Sequence, residues 1–143
     1  MNDDVKLDEL VAAVGDAIVV CNATGSIILW NPAAERLFGF SESEALGQSL
    51  DIIIPERLRS RHWDGYSKTM ETGVTRYGSE VLRVPAIDKS GRSLSIAFTV
   101  AMLYGTDRKV SAIVSVIRDE TERFERDRAI RKRLSELEAR QKA

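Results

Sequence analysis

Two short apolar runs, Ala17–Cys21 (AIVVC) and Ile27–Trp30 (IILW), flank the turn Asn22-Ala23-Thr24-Gly25 and predict a pair of strands. Before them, Val5, Leu7, Leu10, Val11 and Val14 recur close to a helical period. They predict a short amphipathic helix over Asp4–Val14 that stops at Gly15. After them, Ala33, Ala34, Leu37 and Phe38 fall at helical spacing up to Gly39. Asn31 is placed as a structural cap for that helix, and Pro32 suits its first position because its missing N–H needs no partner.

Further along, Ser41 followed three residues later by Glu44 predicts a capping box on a one-turn helix that ends at Gly47. A longer helix is expected over Glu56–Glu71, stopped by Thr72-Gly73, with Leu58, His62, Trp63, Tyr66 and Met70 along its apolar side. The period then changes from helix to strand. Val81–Ile87 reads as a strand, followed by an Asp88-Lys89-Ser90-Gly91 turn. Leu94, Ile96, Phe98, Val100 and Met102 alternate with small or polar residues, and Val110–Ile117 supplies the last strand. Three strands joined by tight turns imply an antiparallel meander, closed by the first two into a five-stranded sheet. The α+β order has neither βαβ alternation nor a phosphate-binding glycine loop. From Asp119 on, good helix formers take over, and Ile130, Leu134, Leu137 and Gln141 keep the 4-3 spacing of a coiled-coil seam.

Composition narrows the classes. The 143 residues suffice for one core plus an appendage of a few turns, and the net charge of −1 argues against bulk electrostatic binding of nucleic acid. Apolar runs are only a few residues long, so no membrane span is expected, and the acidic start lacks the pattern of a secretion signal. Cys21 is the one cysteine, which leaves no internal disulfide and fits a reducing, cytoplasmic setting.

The order strand, Gly turn, strand, Asn cap, helix closely resembles the opening of a PAS sensor domain. The likeness runs from about Asp4 to Thr121. Phe38-Gly39-Phe40-Ser41 with Glu44, Leu46 and Gly47 is similar to the family's "GYS-x-x-E-x-x-G" region. Asp119-Glu120-Thr121 resembles the D-x-T motif at the exit of many PAS domains. This resemblance implies a PAS fold with sheet order 2-1-5-4-3, helices on one face and a small interior cavity. It divides the chain into an N-terminal amphipathic helix (1–15), a PAS core (16–118) and a C-terminal signalling helix (119–143). It implies a sensory and dimerisation module in bacterial-type signal transduction, passing a ligand, redox or partner signal to an effector domain or partner protein. Asp119 and Thr121 would couple sheet to helix, with Asp119 as the N-cap. A homodimer formed by the flanking helices is expected from their apolar stripes.

Candidate chemistry centres on His62, the only histidine. Haem-based oxygen-sensor PAS kinases carry their proximal ligand on the same helix, in a sequence like H-D-G-Y shortly before T-G. Here the segment reads His62-Trp63-Asp64-Gly65-Tyr66, so the match holds counted back from Thr72-Gly73 and slips by one residue at Trp63. One helical residue rotates a side chain by about 100 degrees. A haem gas or redox sensor using His62, with Met102 as a conceivable second ligand, is therefore an alternative to helix-surface histidine. Trp30, Trp63, Tyr66, Met70, Phe98, Val100 and Met102 are candidates for a ligand pocket, or simply for the core. A flavin photosensor is disfavoured because Cys21 lacks the Asn-Cys-Arg-Phe-Leu-Gln-like context. No catalytic set or metal cluster is visible, so no enzyme activity is expected. A ligand-free protein-interaction adaptor is the remaining alternative.

Overall fold

The computed structural model describes residues 4–74 and 80–142. Its elements follow the hydrophobic pattern. Helix α1 (Leu7–Ala13) precedes strands β1 (Ala17–Asn22) and β2 (Ile27–Trp30). Helices α2 (Pro32–Phe38) and α3 (Glu42–Ala45), a 3₁₀ turn (Leu50–Ile53) and helix α4 (Glu56–Thr72) come next. Strands β3 (Leu82–Ile87), β4 (Ser93–Tyr104) and β5 (Val110–Asp119) lead into helix α5 (Thr121–Lys142). The strands form one antiparallel sheet of order β2-β1-β5-β4-β3. Pro85 sits in edge strand β3, where its missing N–H costs the sheet least.

Some boundaries differ from those expected. Helix α1 is shorter than the Asp4–Val14 stripe and has no side-chain cap at Lys6, so its first turn has no help with free N–H groups. Strand β5 runs on to Asp119 because Ile96–Phe98 of β4 offer it further pairing partners. The Ile52-Ile53 run is drawn into a 3₁₀ turn opened by Ser49, whose hydroxyl accepts the Asp51 N–H.

The core lies between the inner sheet face and the helices. Ala17, Val19 and Cys21 of β1 pack with Ile27, Trp30, Ala34, Phe38, Ala45, Ile53, Leu94, Ile96 and Ile117. Asn31 is a second organising point and is 3% exposed. Its Oδ1 accepts the N–H groups of Ala34 (3.0 Å) and Ile18 (2.8 Å), while Nδ2 donates to the carbonyls of Val11 (3.0 Å) and Asp16 (3.1 Å). One amide thus caps α2, extends β1 and ties down the end of α1. The Ser41–Glu44 capping box forms as spaced, and Glu44 also pairs with Lys89 of the β3–β4 turn.

Candidate functional site

Strand pairing sets the inner face in rows. Ala17, Ile117, Phe98 and Leu82 form one row; Val19, Ser115 and Val100 form the next; Cys21, Ile113 and Met102 form the third. At the β1 end these residues are buried. Phe98, Val100 and Met102 are only half-buried, although their alternation along β4 is regular. Helix α4 has 17 residues and none of them is buried.

A few bonds attach α4 to the rest of the fold. Arg59 donates to the carbonyls of Ile54 (3.0 Å) and Asp51 (3.3 Å), and Trp63 Nε1 donates to Asp51 Oδ1 (2.7 Å). The Tyr66 hydroxyl donates to the Asn22 carbonyl at the end of β1. Burial, with Cys21 nearby, pushes the Tyr66 hydroxyl far above its ordinary range, and burial pushes the Cys21 thiol up to about 12. Cys21 is therefore an unreactive packing residue.

Among the described residues, Trp30 belongs to the core cluster with Tyr66 and Phe98 packed against it, while Trp63 and Met70 lie at other places. Trp30 is sealed in the core at 1% exposure, its Nε1 donating to the Phe40 carbonyl (2.9 Å) and its ring packed on Phe38. Trp63 lies over the β1–β2 turn, against Gly25. Met70 lines a cleft of about 370 Å³ with Gly73, Arg108 and Val110, at the far end of α4. A second cleft, about 250 Å³, lies between Asp16, Arg36, Leu37 and Arg118.

His62 lines neither cleft. Its ring meets Trp63 edge-on (centroids 4.6 Å apart) and Tyr66 at 5.9 Å, and its Nδ1 is buried without a hydrogen-bond partner. These residues do not fit a haem on His62, since the imidazole is flanked by two rings that their own hydrogen bonds hold in place. Among the described residues no group of three or more His, Cys, Asp or Glu is arranged to hold a metal.

Burial holds His62 below its ordinary pKa of 6.5, with Asp51 pulling the other way. A histidine harder to protonate when folded contributes stability that is complete above 6.5 and is lost as the pH falls below it. Thermal melts from about pH 7.5 down to about pH 5 should show a loss in wild type that is smaller in His62→Phe. Equal losses in both proteins would contradict the burial of this ring.

At the sheet exit, Asp119 is the last residue of β5 and not the N-cap expected of it. The cap position belongs to Glu120, whose carbonyl accepts the Phe124 N–H (2.8 Å). Asp119 Oδ1 nevertheless accepts a first-turn N–H, that of Thr121 (2.9 Å), as expected of its carboxylate, and the Thr121 hydroxyl as well. Thr121 is 8% exposed, and its Oγ1 accepts the Ser95 N–H of β4 (2.9 Å). Asp119, Thr121 and Ser95 thus form one connected junction. Composition gave no sign of Ser95, which reaches the motif only through the β4–β5 register.

Comparison with known proteins agrees with this architecture. Residues 6–120 match the family described as "PAS fold". Over 69 residues, 48% of the chain, the sequence is 44% identical to sensor protein FixL of Bradyrhizobium diazoefficiens, covering 14% of that protein. Over 83 residues, 58% of the chain, it is 28% identical to oxygen sensor protein DosP of Escherichia coli, covering 10% of it. The chain therefore spans only a small part of these relatives. Among solved structures, a PAS domain from Colwellia psychrerythraea shares the fold with a TM-score of 0.70 at 24% identity, covering 80% of this chain and 94% of that one. An RNA-binding light-oxygen-voltage receptor shares it at 0.70 and 21% identity, covering 94% of this chain and 37% of that one. The match over residues 6–120, with the sheet order and the Asn31-capped helix, makes this chain a member of the PAS family.

Proposed function

We propose that this PAS domain is an input and dimerisation module that relays its signal through α5 to an effector domain or partner protein. One observation carries this reading. The sheet passes directly into a 22-residue helix that is pinned at Thr121 and exposed from Glu122 to Lys142. An isolated helix that packs on nothing is not a stable end product, because most helical stability comes from packing an apolar face. Here Ile130, Leu134 and Leu137 are each at least 40% exposed and lie along one seam.

The natural cover for that seam is a second copy. With Leu134 and Gln141 at the a positions and Ile130 and Leu137 at d, Arg133 falls at g and Glu138 at e. A parallel pair of α5 helices sets Arg133 opposite Glu138 of the second copy but also Arg126 opposite Arg131, so the apolar seam, and not its flanking charge, carries the pairing. Near the start of the chain, Val5 and the α1 residues Leu7 and Leu10 are exposed and supply a second apolar patch.

The input side of this reading is α4, attached to the fold through Arg59, Trp63 and Tyr66 and with no residue of its own buried. A small ligand or a partner that shifts α4 would act on the sheet and, through it, on the junction. No helix among the described residues is long and apolar enough to cross a membrane. Sedimentation of the wild type at tens of micromolar (on the order of ordinary homodimer affinities) should give a dimer, and Leu134→Asp should shift it to monomer. A wild type that sediments only as monomer would contradict the paired-helix reading.

A further inference from the structure

The exit from the sheet is held at two points of different chemistry. The first is Ser95 of β4, whose N–H donates to Thr121 Oγ1 (2.9 Å) and whose carbonyl accepts the Glu120 N–H (2.8 Å). The second is ionic. Glu120 Oε2 accepts from Arg83 Nε of β3 at 3.2 Å, and Oε1 lies 3.9 Å from Arg123 Nη1 in the first turn of α5. The Glu120 side chain is 17% exposed, against 58% for Arg83 and 65% for Arg123. Its charge is thus shared between an edge strand and the outgoing helix from a less solvated position.

A helix pinned at one point can still swing about it. From Glu122 to Lys142 every residue is exposed, so no buried contact further along steers α5. A second point on a different strand removes that freedom. Arg83 lies opposite Ala97, and β3 pairs only with β4. Any slide of β3 against β4 therefore moves Arg83 relative to Ser95, and with it the two points that define the helix direction.

We propose that Glu120 is the positioning residue that sets the angle at which α5 leaves the sheet, by joining Arg83 of β3 to Arg123 of α5 through one carboxylate. Its meaning for signalling rests on the relay reading above, but its geometric claim does not. An ordinary N-cap acid would act only on the helix end, through its positive pole, and would not need Arg83.

Pulsed electron–electron spin distances between labels on Ala101→Cys and Ser135→Cys, in protein diluted with unlabelled chain, test it directly. The buried Cys21, with its thiol pushed up to about 12, does not take the label. The unmodified junction should give one narrow distance distribution. Glu120→Gln and Arg83→Gln should each lose that narrow peak, and the double variant should lose no more than either. Salt at about 1 M, where the screening length is about 3 Å, should broaden the unmodified protein and leave Glu120→Gln as it was. The salt arm needs no variant to fold, and circular dichroism checks the variants. A peak that stays narrow in Glu120→Gln, or broadening in Glu120→Gln but not in Arg83→Gln, would overturn the proposal. A broadened distribution with unchanged output from a fused effector would instead leave the role of Glu120 intact and sink the relay reading.

Discussion

Asn31→Ala is expected to lower the free energy of unfolding by about 3 kcal/mol, against about 1 kcal/mol for loss of an ordinary N-cap. The difference comes from what the amide does beyond capping. Removing it strands the Ile18 and Ala34 N–H groups and the Val11 and Asp16 carbonyls at a site only 3% exposed. For a chain of this size the melting temperature should fall by roughly 10 °C. Asn31→Asp separates the two halves of the role. It keeps an oxygen for Ala34 and Ile18 but turns a second oxygen toward two carbonyls, so it should also be destabilised, more so once ionised. Asn31→Ser restores only the cap and should recover about 1 kcal/mol of the loss. Melts in which Asn31→Ala costs no more than an ordinary cap would show that the ties to Val11 and Asp16 contribute nothing.

Gly25→Ala should be the next most damaging change. Gly25 has φ of +84°, and a Cβ there would lie 2.3 Å and 2.4 Å from two ring carbons of Trp63. Backbone strain alone costs about 1 kcal/mol for alanine in this region. The clash adds to it by displacing Trp63 and breaking its bond to Asp51, for about 2–3 kcal/mol altogether. Gly91→Ala is the control, since Gly91 has φ of +85° with open space around it. Only Gly25→Ala should also shift the emission of Trp63 toward that of a solvated indole, because Trp30 is sealed elsewhere. Equal losses in the two variants, with unchanged emission, would mean that α4 is not held through Trp63.

These two residues mark how far the sequence could be read. The cap at Asn31, the Ser41–Glu44 box and the alternation from Leu94 to Met102 were legible because each is set by neighbours within a few positions. The same locality hid the rest. Nothing near Asn31 announces that its Nδ2 will meet carbonyls 20 and 15 residues earlier. Trp30 and Trp63 look alike as aromatics on apolar faces, yet one is sealed in the core and the other covers a turn. The β4 alternation gives the face of Phe98, Val100 and Met102 correctly but says nothing of how far each is buried. Glu120 passed for the variable centre of a three-residue motif, because Arg83 is 37 positions away and reaches it only through the β3–β4–β5 register.

The junction bears most of the functional account and can be tested on output. Asp119→Ala removes the acceptor for Thr121, and Thr121→Val removes the oxygen that receives the Ser95 N–H. If the junction were an ordinary cap, each would cost about 1 kcal/mol and leave regulation unaltered once folding is allowed for. If it relays sheet movement, the domain keeps its fold while the output separates from the input. The decisive measurement fuses the chain to a reporter effector through α5 and compares regulated activity in wild type, Asp119→Ala and Thr121→Val, with circular dichroism confirming the fold in each. The relay account predicts that both variants fold and lose regulation, and normal regulation in both would contradict it.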